Sequence, residues 1–418
     1  MKALHFLAAY AQSRYRHFPD RAALLAHQQR QLARFRSRVL PQSPYFRAFC
    51  QQPFADWPFM NKALMMQHFD TMNTAGLRLA QALAVAQQAE ASRDFRATLS
   101  GYSVGLSSGT SGQRGVFVLS AKERAQWAGV ILGQMLPHGL CQRERIAFFL
   151  RADNPLYQGV RSARIDFRFF DLFRPFAALV AEVKRYRPGV IVAPAQVLCA
   201  LAQHGELAGA RVISVAEALD DASRAWLGAR FAAVDEIYQA TEGLLATTCA
   251  LGRLHLNEGW LMVEQEALDA RRFVPVITDF TRETQPIVRY RLDDVLVRGE
   301  PCPCGSPCQT LARIEGRLHD SLALPARGGG TVTLFADLCE RALAQVLPPD
   351  ADYQLEQHGA RAIHLALDGD AALLAACQRH LQAVFAAQGV DNEALCWTLA
   401  RAPLARDFAT KRRRIRRL

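Results

Sequence analysis

The chain has 418 residues, half of them hydrophobic and 21% charged, which excludes a disordered, collagen-like or disulfide-scaffold protein. Its length predicts two or three domains, and no apolar run reaches the roughly 18 residues of a membrane span. Fifty Lys and Arg against 39 Asp and Glu give a net charge of +11, which favours acidic partners: nucleotides, nucleic acid, an acidic carrier protein or an anionic membrane surface.

The N-terminus starts like a signal peptide but meets Arg14, Arg16 and His17 too early and lacks a small-residue cleavage site. It reads as a surface helix of a cytoplasmic protein. Residues 1–100 read mainly as helices, with Leu32, Phe35, Val39 and Leu40 at helical spacing and Pro41, Pro44 and Pro53 as breaks. Residues 101–120 read as a Gly/Ser/Thr-rich loop followed by the strand VFVL. An amphipathic helix, AKERAQWAGVILGQML, comes next.

Between 145 and 240 the strands RIAFFL, GVIVA, ARVIS and DEIYQA alternate with helical patterns such as QVLCALAQH. That alternation predicts an α/β fold with mostly parallel strands. Residues 245–320 are more β-rich, with WLMVEQE, RFVPVITDF, PIVRYRL and DVLVRG. The last hundred residues mix the strands YQLEQH and AIHLAL with the helix AALLAACQRHLQAVFAAQ, which suits a small α+β domain. A large domain over 1–318 and a small one over 319–418 are expected.

Ten cysteines in a chain this long do not resemble a secreted disulfide framework. Cys199, Cys339 and Cys377 lie in apolar stretches and read as reduced core residues. Cys302 and Cys304 form a tight C-x-C pair, which in a reduced compartment favours Zn²⁺ over a disulfide. Cys249 and His255, spaced C-x₅-H, are candidates to complete the site, with Cys308 in reserve; free cysteines in a turn are the alternative. Four protein ligands would make a structural clamp. The last eight residues, KRRRIRRL, carry six basic side chains and read by composition as a solvated tail.

Ser107, Ser108, Gly109, Thr110, Ser111 and Gly112 form a compact loop whose glycines and hydroxyls suit a phosphate. No GK[ST] follows, so it is not a Walker A loop. This SSGTSG resembles the phosphate loop of the adenylate-forming superfamily, which includes acyl-CoA synthetases and peptide-synthetase adenylation domains. Four more segments resemble that superfamily in order: VISVAEAL (212–219), EIYQATEG (236–243), ITDFTRETQPIVRYRLDDVL (277–296) and RIEGRLHDSL (313–322). The spacing and the cysteine-rich insert look most like the phenylacetate–CoA ligase branch. The resemblance extends more weakly over residues 54–77.

The resemblance implies a large adenylating domain, with parallel and β-rich parts, and a small mobile C-terminal domain. It implies ATP, with Mg²⁺ positioned by Glu242 and the α-phosphate met by Thr241. Glu217 falls on the adenine-side loop, and Tyr238 beside the adenine or acyl pocket. Asp294 falls on the ribose-binding Asp and Arg317 on the hinge arginine, with Asp320 near the pivot. Asp293 stands where relatives carry Gly, so the ribose role lies with Asp293 or Asp294. Gln113 and Arg114 stand where relatives carry Lys–Pro. Lys411 stands near the place of the family's adenylation lysine, preceded by Thr410 instead of Gly. The Cys249, His255, Cys302 and Cys304 set implies bound Zn²⁺ in that branch.

The resemblance thus implies an ATP-dependent ligase that converts an aryl or fatty acid to an acyl-adenylate. It then makes a thioester with coenzyme A or a carrier-protein phosphopantetheine. Phe148, Phe149, Phe167, Phe169 and Phe170 are candidates for either an apolar pocket or core. The alternative is a catalytically degenerate adenylating fold acting as a basic nucleic-acid-binding or interaction protein. No helix-turn-helix or basic–aromatic interleaving supports nucleic-acid recognition.

Overall fold

The computed structural model describes residues 2–107, 115–150, 164–317, 321–334, 336–347, 351, 353–401 and 414–418. Its strands, in chain order, begin with β1 (Thr98–Leu99), β2 (Tyr102–Leu106), β3 (Val116–Leu119), β4 (Glu144–Leu150) and β5 (Ile165–Asp171). They continue with β6 (Val190–Ala193), β7 (Arg211–Ser214), β8 (Ala233–Ala240), β9 (Gly243–Thr248) and β10 (Leu254–Leu256). Next come β11 (Leu261–Ala267), β12 (Arg272–Asp279), β13 (Ile287–Arg291), β14 (Asp294–Arg298) and β15 (Thr310–Arg317). The C-terminal part holds β16 (Leu322–Pro325), β17 (Thr331–Leu334), β18 (Tyr353–His358), β19 (Ala362–Leu367), β20 (Cys396–Arg401) and β21 (Ile415–Arg417).

Twelve strands form one sheet in the order β11-β12-β14-β15-β10-β9-β8-β7-β6-β4-β5, with β13 paired to β12. From β8 to β5 every pairing is parallel. Those strands are short apolar runs, as a sheet covered on both faces requires, and β6 is buried throughout. From β9 to β12 the pairings are antiparallel. The predicted α/β and β-rich stretches are thus two halves of a single sheet, joined where β8 turns back into β9.

The helix Ala121–Met135 starts at a capping box: Ser120 accepts from Glu123 N, and Glu123 from Ser120 N. Such a cap contributes about 1 kcal/mol. Glu123 is only 3% exposed, because it also accepts from the backbone N–H groups of Glu283 and Thr284 at 2.8 and 2.9 Å. The cap therefore joins the helix after the Gly/Ser loop to the segment after β12. The N-terminal helix Lys2–Tyr15 lies against the same helix at Gly129, where a Cβ would sit 2.4 Å from Phe6 O. Only glycine permits that approach.

Residues 322–415 gather a hydrophobic core of their own around Leu355, Leu365, Cys377 and Phe385. Its sheet runs β20-β19-β18-β21, and Asp370 caps the helix Ala371–Ala387 by accepting from Leu373 N. The basic end of the chain is not a solvated tail where it is described: Ile415 is 2% exposed and β21 pairs with β18. Burying Ile415 beside Leu355 outweighs the solvation of its basic neighbours, whose side chains can still reach water.

Candidate functional site

A cavity of about 1260 Å³ runs from the junction of β8 and β9 along one face of the parallel strands. At the junction, Ala240 pairs with Gly243, so Thr241 and Glu242 form a two-residue turn. Arg282 holds that turn. Its Nη1 donates to Thr241 O at 2.8 Å and to Glu242 O at 3.4 Å, and Nη2 donates to Gln285 Oε1 at 3.4 Å. Arg282 is 6% exposed and Glu242 7%, and both line the cavity. A Cβ on Gly243 would lie 2.6 Å from Asp279 Oδ2, so the turn closes onto Asp279 only with glycine there. Burial raises the Asp279 pKa above the usual carboxylate value, against the opposing pull of Thr281 and Arg282.

Tyr238 donates to Asp294 Oδ2 at 2.5 Å, which brings two of the motif segments together. Asp293 and Asp294 both line the cavity. Glu217 accepts from Gln196 Nε2 at 2.9 Å, and Ala216 before it stands at φ +64°. That left-handed backbone is costly for alanine. Farther along, Glu236 is buried in an ion pair with Arg224 at 2.6 Å, and burial raises its pKa. Ser107 closes the neck of the Gly/Ser loop: its Oγ accepts from Gly115 N at 2.8 Å, and its N–H donates to Gly115 O at 2.8 Å.

Ser108, Gly109, Thr110, Ser111, Gly112, Gln113, Arg114, Asp320 and Lys411 lie outside the described residues. Arg317 ends β15 as the register partner of Asp294. Ser107, Glu217, Tyr238, Thr241, Glu242 and Asp294 share the one cavity. Sequence reasoning missed Arg282, Asp279 and Lys62, which also line it. Arg282 and Asp279 sit inside a quoted motif segment, but nothing in a linear pattern says which side chain turns back onto the Thr–Glu turn.

The deeper wall is apolar. The helix contributes Trp127, Val130, Ile131 and Met135, and the parallel strands contribute Ile146, Phe148, Phe167 and Val192. Phe148 and Phe167 thus face the cavity, whereas Phe149 and Phe170 stack in the core on the other face at 4.5 Å between ring centroids. Phe169 packs partly buried against the cavity-side core. Cys339 and Cys377 are buried as expected, but Cys199 is only partly buried and lines the cavity.

The ligating atoms of Cys249, His255, Cys302 and Cys304 all lie within 4.8 Å of one another. Cys249 Sγ is 3.8 Å from Cys302 Sγ, and Cys304 Sγ is 3.6 Å from His255 Nε2. A tetrahedron with Zn–S of about 2.3 Å and Zn–N of about 2.0 Å has edges of roughly 3.5–3.8 Å. The donor set and its spacing therefore fit zinc. His255 Nδ1 lies 3.2 Å from Cys308 O, a contact that leaves Nε2 facing the thiols. Burial lowers the His255 pKa, which favours the neutral, ligating imidazole. Cys308 is not in the cluster. Beside it, Glu258 accepts two hydrogen bonds from Arg21, at 2.6 and 2.7 Å, and one from Gln309 N at 2.7 Å.

No protein-family model and no curated protein sequence matches this chain. Solved structures do. The chain is similar to 2-hydroxyisobutyryl-CoA ligase in the postadenylation state with 2-HIB-AMP, at TM-score 0.67 and 16% identity over 94% of this chain and 88% of that one. It is similar to the anthranilate CoA ligase AuaEII with anthranoyl-AMP, at TM-score 0.52 and 14% identity over 74% of this chain and 66% of that one. The amide bond synthetase McbA from Marinactinospora thermotolerans gives 0.52 and 14% over 75% and 68%.

The fold is that of the adenylate-forming ligases. Within it, the likeness to 2-hydroxyisobutyryl-CoA ligase takes in nearly the whole chain, C-terminal unit included. The same ligase in its open form gives a TM-score of 0.54 and in its thioesterification form 0.52, over much the same coverage.

Proposed function

We propose that this chain activates an apolar carboxylic acid with ATP and passes the acyl group to a thiol. The carrying observation is that one cavity holds both the Thr241–Glu242 turn with Glu217 and Asp294 and a wall of apolar side chains. In the first half-reaction the acid's carboxylate attacks the α-phosphorus of ATP, forming acyl-adenylate and releasing pyrophosphate. In the second, the thiol sulfur attacks the acyl carbon, the thiol proton leaves, and AMP departs. Coenzyme A or a carrier-protein phosphopantetheine supplies the thiol.

Each residue's part follows from its chemistry. Asp294, oriented by Tyr238, accepts from the ribose hydroxyls, with Asp293 beside it as second candidate. Glu217 lies at the adenine side, and Arg317 at the ribose. Thr241 donates to the α-phosphate, held in place because Arg282 fixes its carbonyl. Ser107 anchors a loop, Ser108–Gly112, that receives the terminal phosphates. Glu242 offers a buried carboxylate to Mg²⁺, which when bound neutralises phosphate charge. Lys411 supplies a cation for the charge that develops at the α-phosphate.

The apolar wall built by Trp127, Val130, Ile131, Met135, Phe148 and Phe167 suits an acid with an apolar body. Aryl and fatty acids both meet that description, and an aryl acid agrees with the phenylacetate-like branch. Zn²⁺ at Cys249, His255, Cys302 and Cys304 would be structural, since four protein ligands leave no open position. An acidic carrier protein suits the chain's net charge of +11. Among the described residues no helix is long and apolar enough to cross a membrane, and a cytoplasmic location suits the thiols. We read residues 1–318 as the large adenylating domain and 319–418 as a small mobile domain.

The test is acid-dependent exchange of pyrophosphate into ATP over a panel of aryl and fatty acids, with Glu242→Ala as control. Exchange that needs both one acid and Glu242 supports the reading. Folded protein that neither binds ATP nor exchanges overturns it.

A further inference from the structure

The C-terminal sheet gathers a second set of metal-ligating side chains, on residues that do not line the cavity. Side chains alternate between the two faces of a strand. On β18, Tyr353 and Leu355 enter the C-terminal core, so Glu356 and His358 share the opposite face. On β19, Ile363, Leu365 and Leu367 enter that core, which turns His364 to the same outer face. The two strands pair antiparallel with Glu356 directly opposite His364. The ligating atoms of Glu356, His358 and His364 all lie within 4.8 Å of one another.

Glu356 is the hub of the group. Its side chain is 9% exposed, against 49% for His358. Glu356 Oε2 lies 2.9 Å from His358 Nε2, and Oε1 accepts from Arg416 Nε at 2.6 Å. Arg416 reaches it from β21, where it is the register partner of Glu356. A guanidinium thus holds one carboxylate oxygen, and the other is turned towards an imidazole. Ligating carboxylates are themselves hydrogen-bonded in this way by a neighbour. Metal–nitrogen and metal–oxygen bonds of about 2.0–2.1 Å place adjacent ligand atoms roughly 2.9–3.4 Å apart. The Glu356–His358 separation already falls there, and His364 needs only a side-chain adjustment.

We propose that Glu356, His358 and His364 bind a divalent transition-metal ion on the outer face of the C-terminal sheet. Two imidazoles and one carboxylate suit Ni²⁺, Cu²⁺, Co²⁺ or Zn²⁺, whereas Mg²⁺ and Ca²⁺ favour oxygen ligands throughout. The absence of a thiolate sets this group apart from Cys249, His255, Cys302 and Cys304. Three protein ligands leave coordination positions to water, so the ion exchanges: it enters when supplied and leaves on dialysis against a chelator. It takes the place of the proton between Glu356 and His358, and it needs both imidazoles neutral. Once bound, it ties β18 to β19 through side chains as well as through the backbone ladder. The site stands whatever acid the protein activates.

The test treats full-length protein with diethyl pyrocarbonate, which acylates imidazoles that are not ligated, with Ni²⁺ alone as the probe. Arg361 lies between the two histidines, so trypsin places them on separate peptides and mass spectrometry follows each. At about ten times the half-protecting Ni²⁺ concentration, acylation of His358 and His364 should each slow about tenfold, as occupancy requires. In His364→Gln that concentration should no longer protect His358, because losing a ligand costs at least the roughly hundredfold that a supporting neighbour can be worth. His358→Gln should likewise expose His364; its half-exposed side chain makes it the variant that keeps the fold if the other does not. Mg²⁺ should protect neither histidine, and Cys249→Ser should leave the Ni²⁺ protection intact. No protection in wild type overturns the site. So does undiminished protection in either histidine variant, equal protection by Mg²⁺, or its loss in Cys249→Ser.

Discussion

Tyr238 and Asp294 stand 56 residues apart and meet through one hydrogen bond, from the phenol to Oδ2 at 2.5 Å. The bond ties the Asp294 carboxylate, which lines the cavity, to the strand that leads into the Thr241–Glu242 turn. Replacing Tyr238 by Phe removes the donor and little volume. The expected result is a folded protein whose KM for ATP rises about fivefold, the typical net worth of one hydrogen bond, roughly 1 kcal/mol. Asp294→Ala should cost more, since the ribose then loses its acceptor. Steady-state exchange kinetics at varied ATP decide the matter; an unchanged KM in both variants would remove the ribose assignment.

Arg282 pins both carbonyls of the Thr241–Glu242 turn. Arg282→Ala leaves those acceptors buried without their donor and Asp279 without the neighbouring cation. Stability should fall by about 2–4 kcal/mol, and adenylate formation by about a hundredfold in the protein that remains folded. Arg282→Lys keeps the charge but not the fork, so it should sit between. Denaturant titration paired with exchange rates makes the comparison. Wild-type exchange from Arg282→Ala would falsify the positioning role.

Purified protein should carry about one zinc per chain, as a single four-ligand site requires. Cys249→Ser, which replaces a thiolate with a hydroxyl, should lower zinc content and the melting temperature together. Elemental analysis and calorimetry measure the two independently. Metal-free protein with the melting curve of untreated protein would dismiss the clamp.

His27 sets a pH dependence whose sign follows from its surroundings. Its Nε2 lies 3.1 Å from Gly259 O and 3.2 Å from Arg16 Nη1. Burial lowers its pKa below the ordinary 6.5, and Arg16, Arg30 and Arg34 add to the effect. The native state then holds His27 neutral while the unfolded chain takes up a proton. Below pH 6.5 the unfolded state binds more protons, so stability drops as pH falls. His27→Gln should flatten that slope in melting temperatures recorded from neutral to mildly acidic pH. An unchanged slope would place its origin elsewhere.

Local chemistry made much of this legible. The amphipathic run AKERAQWAGVILGQML reads as a helix, and the helix Ala121–Met135 occupies it. The apolar runs of β4, β6 and β7 need no partner to be recognised. The four cysteine and histidine candidates were readable because C-x-C and C-x₅-H are short-range spacings, and the fold brings the two pairs together. What stayed hidden depends on which strands pair. Tyr238 finds Asp294 only because the sheet brings their strands to one cavity, and Arg282 finds Thr241 only because β12 ends beside the β8–β9 turn. The burial of Ile415 is likewise a product of β18, and a count of arginines points the other way.

The wall formed by Trp127, Val130, Ile131, Met135, Phe148 and Phe167 holds no group that could recognise an acid by charge. Discrimination built from such contacts comes in small steps, about 1–3 kcal/mol for each methylene gained or lost. If that wall receives the acid in the proposed reaction, acids should rank along a gradient of length and breadth, with close homologues competing for the same turnover. Which of them it consumes in a cell would be decided as much by their relative abundance as by the pocket.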